Sequence, residues 1–195
     1  MNTRIVSLLG ALVLVPLTSC WADTLWLSAI DATATTPQVA LIGAAKGVEA
    51  NGTRILQLQS FVEGPHQVSF KFSVKKSGTY KIWAATTPQT SGWASPFLVL
   101  LDGKPMGTAT DQSIALQHSG PVYGFSNNPG LFQWYLFGEK LLTSGEHQVA
   151  FRITTRRATK EAQGQAFAFY FDTLLVTDTA ALVPSGADAK ETTAK

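Results

Sequence analysis

Apolar residues at every second position are the feature that most restricts what this chain can fold into. Along residues 66–74, Val68, Phe70, Phe72 and Val74 alternate with polar residues. This alternation predicts a strand with one face on a core and the other in water. Helical spacing of three and four residues does not persist for more than about one turn. Residues that predict further strands are 24–30, 54–60, 79–85, 96–101, 133–137, 147–154 and 167–177.

Turn sequences rich in Gly, Pro, Ser and Asp separate these segments. Strands at intervals of roughly ten residues, with no helices between them, predict an all-β fold: an antiparallel β-sandwich or jelly roll of about eight to nine strands. Two predicted loops, 86–95 and 117–131, are longer than the others and carry aromatic residues. Long loops of this kind are where a sandwich usually keeps its function.

Length and composition fit one folded domain. The chain has 195 residues, of which 45% are apolar and 14% charged, and it contains one cysteine. We expect the domain to span residues 23–179 without an internal disulfide, followed by a small, polar and disordered tail at 180–195. The formal net charge of +2 gives no reason to expect a nucleic acid partner.

The first 22 residues predict a removable export signal. Arg4 supplies the positive start, and an apolar run from Ile5 to Val15 follows that is too short to span a bilayer. Two cleavage sites compete. The sequence ending at Cys20 resembles a bacterial lipobox, in which the cysteine is lipidated, whereas cleavage after Ala22 would release a soluble chain. The protein is therefore expected to be periplasmic or extracellular, with Cys20 as its only predicted route to a membrane anchor.

No motif for nucleophilic or metal catalysis occurs in the mature sequence. His66 and His147 follow turns and are predicted to be structural, while His118 lies in the longer predicted loop. We therefore predict no catalytic residue, no metal site and no cofactor. A hydrolase that uses a pair of carboxylates is a lesser alternative, because such a pair needs only proximity in space.

Aromatic and amide side chains give the strongest functional signal. Sugar rings stack their C–H faces on aromatic rings, and their hydroxyls bond to amides and carboxylates. Trp93 lies in the first long loop, where it is either a ligand platform or a lid on the core. Trp134 lies inside a predicted strand, for which core packing is the default. The predicted ligand-binding residues are Trp93, Tyr123, Phe125, Asn127, Asn128, Phe132 and Trp134.

Five segments occur in an order that resembles a known family. They are WLSAIDAT, SGTYKIWA, SPFLVLLDGKP, FQWYLFGEKLLTSGEHQVAFRI and FYFDTLLVTD. In this order they resemble the galactose-binding-like jelly rolls of carbohydrate-binding modules, families 6 and 35 in particular, over residues 24–178. The resemblance implies a jelly roll that binds a polysaccharide or oligosaccharide, with a glycan-active enzyme as a possible partner.

The sequence departs from that family at two sites. Relatives hold a structural calcium with two glutamates of the first strand, where this chain has Ser28 and Ile30, and with an aspartate retained here as Asp172. We expect no calcium there, because one carboxylate and one hydroxyl are too few oxygen ligands. At the sugar site, Tyr170 replaces an asparagine of the relatives.

Two functions follow from these observations. The first is a non-catalytic carbohydrate-binding protein of the cell envelope or secreted space. The second is a structural or protein-interaction β-sandwich that has lost sugar binding, which the changes at Ser28, Ile30 and Tyr170 favour.

Overall fold

The structure, a computed structural model, is an antiparallel β-sandwich, as the sequence predicts. It describes residues 22–34, 39–43, 50–51, 54–87, 94–106, 116–124, 132–157 and 165–190. Within these ranges twelve strands form two sheets, more than the eight or nine predicted. The helical structure among them is a 3₁₀ turn, Ala29–Asp31.

The larger sheet has seven strands. Their order is β3-β4-β12-β6-β10-β9, and β1 pairs with β12 on the side of β4. The bounds are β1 Thr24–Ser28, β3 Val39–Gly43, β4 Arg54–Ser60, β6 Gly78–Thr86, β9 His118–Tyr123, β10 Phe132–Leu142 and β12 Phe167–Thr177.

The smaller sheet has five strands in the order β2-β5-β11-β7-β8. The bounds are β2 Ala32–Ala34, β5 His66–Val74, β7 Phe97–Leu101, β8 Lys104–Pro105 and β11 Gly145–Ile153. Strand β5 has the predicted bounds, and its alternating apolar residues Val68, Phe70, Phe72 and Val74 are all buried.

The main core lies between the two sheets and is rich in phenylalanine. Phe151 of β11 is fully buried at its centre, with ring centroids 5.2 Å from Phe169 and 5.6 Å from both Phe97 and Phe171. Aromatic pairs at such distances add attraction beyond the area that they bury. Phe151 therefore links β11 to β7 in its own sheet and to β12 in the sheet opposite.

Asp102 and Gly103 form the tight turn between β7 and β8, as the Asp-Gly sequence predicts. Both residues have positive φ, 49° and 75°, which a two-residue hairpin of this kind requires. Asp102 also binds β11: its Oδ2 lies 2.8 Å from His147 Nδ1, and His147 Nε2 lies 2.8 Å from the carbonyl oxygen of Thr143. Burial lowers the pKa of His147, but the two acceptors outweigh it and the net pKa is raised.

Several segments differ from the sequence prediction. Strands β2, β3 and β8 were not predicted, and β10 continues past its predicted end at residue 137. Residues 117–131 were expected to be one loop, yet His118–Tyr123 pair with β10 as an edge strand, in which Gly120 adopts a φ of 68°. Residues 180–190, expected to be disordered, follow a defined path across the larger sheet. Residues 191–195 of the predicted tail lie outside the described residues.

Candidate functional site

The outer face of the larger sheet carries a second apolar cluster, separate from the core between the sheets. We call it the outer-face cluster; its buried members are Ile55, Trp83, Ala85, Tyr123, Phe132, Trp134, Leu175 and Ala189. Three of the seven residues predicted to bind a ligand, Tyr123, Phe132 and Trp134, are among them. The sheet thus brings these three side chains together.

Cross-strand pairing explains how tryptophans gather on this face. Leu175 of β12 pairs with Trp26 of β1 on one side and with Trp83 of β6 on the other. In the next row, Ala85 of β6 pairs with Trp134 of β10. Ala85 is small, so the large rings can meet above it. Trp26 and Trp134 make an edge-to-face contact with centroids 5.8 Å apart.

Asp172 lies on this face at a β-bulge of β12. Phe171 pairs with Thr86 and Thr173 with Ala85, which leaves Asp172 as one extra residue in β12. At the same point the other neighbour of β12 changes from β4 to β1. Bulges turn side chains away from the regular alternation. Before the bulge, the alternation places Phe171 in the core and both Tyr170 and Asp172 on the outer face; after it the phase changes by one residue, so that Leu175 also faces outward.

A buried hydrogen-bond network surrounds the Asp172 carboxylate. Its Oδ2 accepts from the Tyr123 hydroxyl at 2.7 Å, from the Asn51 backbone N–H at 2.9 Å and from Asn51 Nδ2 at 3.0 Å. Burial, and then the Asp172 charge, raise the pKa of Tyr123 well above its ordinary value. The Tyr123 hydroxyl is thus held protonated as a donor to the carboxylate.

Tyr123 and Phe132 flank the segment that connects β9 and β10. They pair across the two strands, and their ring centroids are 5.6 Å apart. Both side chains are buried. Tyr123 and Phe132, which flank residues 124–131, are therefore held by apolar packing and by the bond from Tyr123 to Asp172.

Residues 180–190, with the sequence AALVPSGADAK, cover this face; we call them the cover segment. Gly186 carbonyl oxygen accepts from Trp134 Nε1 at 3.0 Å and from Asn51 Nδ2 at 3.2 Å. The Ala189 N–H donates to Asn51 Oδ1 at 3.0 Å. The Ser119 hydroxyl donates to the carbonyl oxygen of Pro184. These contacts replace the predicted disorder with an ordered layer over the sheet.

The structure describes three of the seven predicted residues, Tyr123, Phe132 and Trp134. Tyr123 lies at the end of a strand and not in a loop, and Trp134 has no exposed surface because the cover segment lies on it. None of the three described residues presents an open ring face, so their stacking on a sugar stays a prediction. Trp93, Phe125, Asn127, Asn128 and the lipidation candidate Cys20 lie outside the described residues.

Sequence reasoning missed the polar part of the site. Asn51 received no role, and Asp172 was considered only as a remnant of a calcium site. The available signal was an aspartate inside an otherwise apolar strand, because a buried carboxylate requires hydrogen-bond donors. Nothing in the sequence near Asn51 indicates that it supplies them.

Two further observations concern the described part of the chain. It contains no group of three or more His, Cys, Asp or Glu side chains that could hold a metal ion. None of its helices is long and apolar enough to cross a membrane.

The architecture is the jelly roll of family 35 carbohydrate-binding modules. One such module, from an environmental isolate, matches with a TM-score of 0.50 and 13% identity, covering 80% of this chain and 93% of that one. Another, from Clostridium thermocellum, also has a TM-score of 0.50, with 9% identity and coverage of 78% and 97%.

A Podospora anserina protein, a GH26-CBM35 β-(1,4)-mannanase, matches with a TM-score of 0.49 and 17% identity; 83% of this chain aligns to 29% of that protein. This chain therefore spans less than a third of that enzyme. No protein-family model matches the sequence, and no curated protein matches it. At these identities, the matches define the fold alone.

Proposed function

We propose that this protein is a non-catalytic carbohydrate-binding protein that contacts a glycan through its aromatic loops. The observation that carries the proposal is the buried pairing of Tyr123 with Phe132, the two residues that flank segment 124–131. Between those ends the sequence supplies Phe125, Asn127 and Asn128. The shared fold supports the proposal, because two solved structures with this jelly roll are named as carbohydrate-binding modules.

The chemistry of the two loops suits a sugar. Trp93 and Phe125 offer rings for the C–H faces of a pyranose, and Asn127 and Asn128 offer both donors and acceptors for its hydroxyls. Ordering a loop when a ligand binds costs conformational entropy. Because the residues that flank this loop are already held in place, we expect that cost to be lower. The network around Asp172 therefore contributes to affinity without contacting the glycan.

Export belongs to the same proposal. We expect residues 1–22 to be removed, either before a lipidated Cys20 or after Ala22, which places the protein in the periplasm, outside the cell or at the outer membrane. A glycan-active enzyme is the expected partner in those compartments. The intact mass of the mature protein distinguishes the two cleavage sites, and a mass that still includes Met1 contradicts both.

Binding is tested by affinity electrophoresis of the full exported chain in gels that contain xylan, mannan or dextran. We expect Trp93→Ala and Phe125→Ala to weaken binding fivefold or more, since a lost stacking contact is worth about 1 kcal/mol. Leu141→Ala is the control, because Leu141 is an apolar side chain, 81% exposed, near the far end of β10. It should bind as the wild type does.

The burial of Trp134 and Tyr123 favours the second function, an interaction module without sugar binding. If the wild type binds none of the polysaccharides and Trp93→Ala unfolds the protein, Trp93 is a lid on the core. The interaction module then replaces the carbohydrate-binding protein as the proposed function.

A further inference from the structure

Backbone groups of the cover segment form hydrogen bonds with side chains of the outer face. Gly186 carbonyl oxygen accepts from both Trp134 Nε1 and Asn51 Nδ2, and the Ala189 N–H donates to Asn51 Oδ1. A sugar hydroxyl can accept one hydrogen bond and donate another, so it can replace either backbone group. Trp134 Nε1 and the Asn51 amide could therefore bind sugar hydroxyls in place of the cover segment.

Within the part of the chain that the structure describes, the indole N–H of Trp83 has no hydrogen-bond partner. Trp83 is 1% exposed, and its Nε1 is buried without a hydrogen bond in the described structure. Buried N–H groups are almost always bonded, so an orphaned donor calls for a reason. An incoming ligand with an acceptor oxygen near Trp83 would satisfy it.

The face combines the groups that recognise a neutral sugar. Trp26, Trp83 and Trp134 supply aromatic surface, and the two latter rings also supply N–H donors. Asn51 supplies an amide, held in place by the Asp172 carboxylate. The two indole N–H groups suit the hydroxyl and ring oxygens of a sugar, which can accept from them.

The cover segment can leave without dismantling the sandwich. It follows β12 in the chain, so its release breaks no strand pairing. Leu182, Ala187 and Ala189 are its apolar contacts with the outer-face cluster, and two of these three are only partly buried. The core between the sheets is a separate cluster and keeps its packing.

We infer that the outer-face cluster is a second binding surface for a neutral sugar, which residues 180–190 occupy until a glycan displaces them. The inference rests on the proposed function in that the protein binds glycans, and it adds a site apart from the loops. Apparent affinity for such a surface falls in proportion to the fraction of molecules in which it is open.

Gly120 offers a way to open the surface. A Cβ at this position would lie 2.5 Å from Ser185 Oγ and 3.1 Å from the Gly186 nitrogen, so Gly120→Ala pushes against the cover segment. Gly103→Ala is the matched control: its φ of +75° is close to the +68° of Gly120, and a Cβ there meets nothing within 4 Å. The two substitutions share backbone strain and differ in the clash.

We expect Gly120→Ala to increase acrylamide quenching of tryptophan fluorescence and to strengthen binding in xylan, mannan or dextran gels by up to about tenfold. Gly103→Ala should change neither. Ala189→Asp is a second opening variant, since it places a charge at a buried position. If neither opening variant raises quenching, the segment is a fixed part of the fold and the inference is wrong.

Trp93→Ala separates the two surfaces. Added to Gly120→Ala, it should leave the gained binding in place, and Trp83→Phe in the Gly120→Ala chain should remove several-fold of that gain. Binding that the opening variants do not strengthen overturns the inference and leaves the proposed function standing. If no variant and no wild-type chain binds any of the three polysaccharides, both fail.

Discussion

Tyr123→Phe tests the network that connects the loop between β9 and β10 to the centre of the sheet. The substitution keeps the buried ring and removes one oxygen. That oxygen donates to Asp172 Oδ2 at 2.7 Å and accepts from Asn51 Nδ2 at 2.9 Å. The variant therefore loses one charge-assisted hydrogen bond and one neutral one, with little change in apolar packing.

The expected loss follows from the charge on the acceptor. A hydrogen bond to a charged group contributes about 1.5–3 kcal/mol, against about 0.5–1.5 kcal/mol for a neutral pair. Asp172 keeps its hydrogen bonds from the Asn51 backbone N–H and from Asn51 Nδ2, so its buried carboxylate still has two donors. We expect the free energy of unfolding to fall by about 2 kcal/mol, within the ~5–15 kcal/mol of a typical domain.

Urea unfolding followed by tryptophan fluorescence measures this loss. The midpoint should fall while the slope of free energy against urea stays constant, because the folded state keeps its shape. In a thermal scan the same loss lowers Tm by roughly 4–8 °C for a chain of this length. A change in slope would instead indicate a looser native state.

Tyr135→Phe is the control for the loss of a phenol. The Tyr135 hydroxyl donates to the neutral side-chain oxygen of Gln133 at 3.1 Å, and Tyr135 is also buried. Its loss should be about half that of Tyr123→Phe. The reasoning is refuted if Tyr123→Phe costs no more than Tyr135→Phe, since the Asp172 charge would then contribute nothing.

Two further predictions concern the sandwich itself. Phe151→Ala leaves a cavity in the core between the sheets, so we expect a loss of about 3–5 kcal/mol, measured by urea unfolding; a loss under 1 kcal/mol would contradict its central position. The raised pKa of His147 means that its stabilisation is complete below the unfolded pKa of about 6.5 and is lost as pH rises through the folded pKa. Tm should therefore fall more between pH 6 and pH 9 in the wild type than in His147→Gln, and equal slopes would contradict this.

The strands of the core could be predicted because their signal is local. Strands β4, β5 and β12 begin and end at the predicted residues, since period-two apolar runs and flanking turn residues define them. The Asp102-Gly103 hairpin was predicted for the same reason. Strand β9 was missed because Gly120 and Pro121 are typical of loops. They lie in the irregular part of the pairing with β10, between the Ser119–Trp134 and Tyr123–Phe132 pairs.

The burial of the candidate site could not be predicted in this way. The cover segment is short and rich in alanine, with no period-two pattern, so it resembles a tail. Its bonds to Asn51 and Trp134 join residues far apart in sequence. One local signal does point to a cover. Strand β12 is apolar on both faces, and ten of its eleven residues are buried, although an antiparallel sandwich normally leaves one face of each sheet in water.

The bulge at Asp172 connects these features physically. Its carboxylate bonds to Tyr123, which anchors segment 124–131, and to Asn51, which bonds to the cover segment. A change in either partner alters the same acceptor, so the loop and the cover segment are expected to be coupled. Asp172→Asn keeps the shape of the side chain and removes the charge that both partners share. In that background Tyr123→Phe should cost about 1 kcal/mol less than in the wild type, a coupling that double-mutant analysis measures directly. Additive losses would show that the Tyr123 hydrogen bond gains nothing from the Asp172 charge.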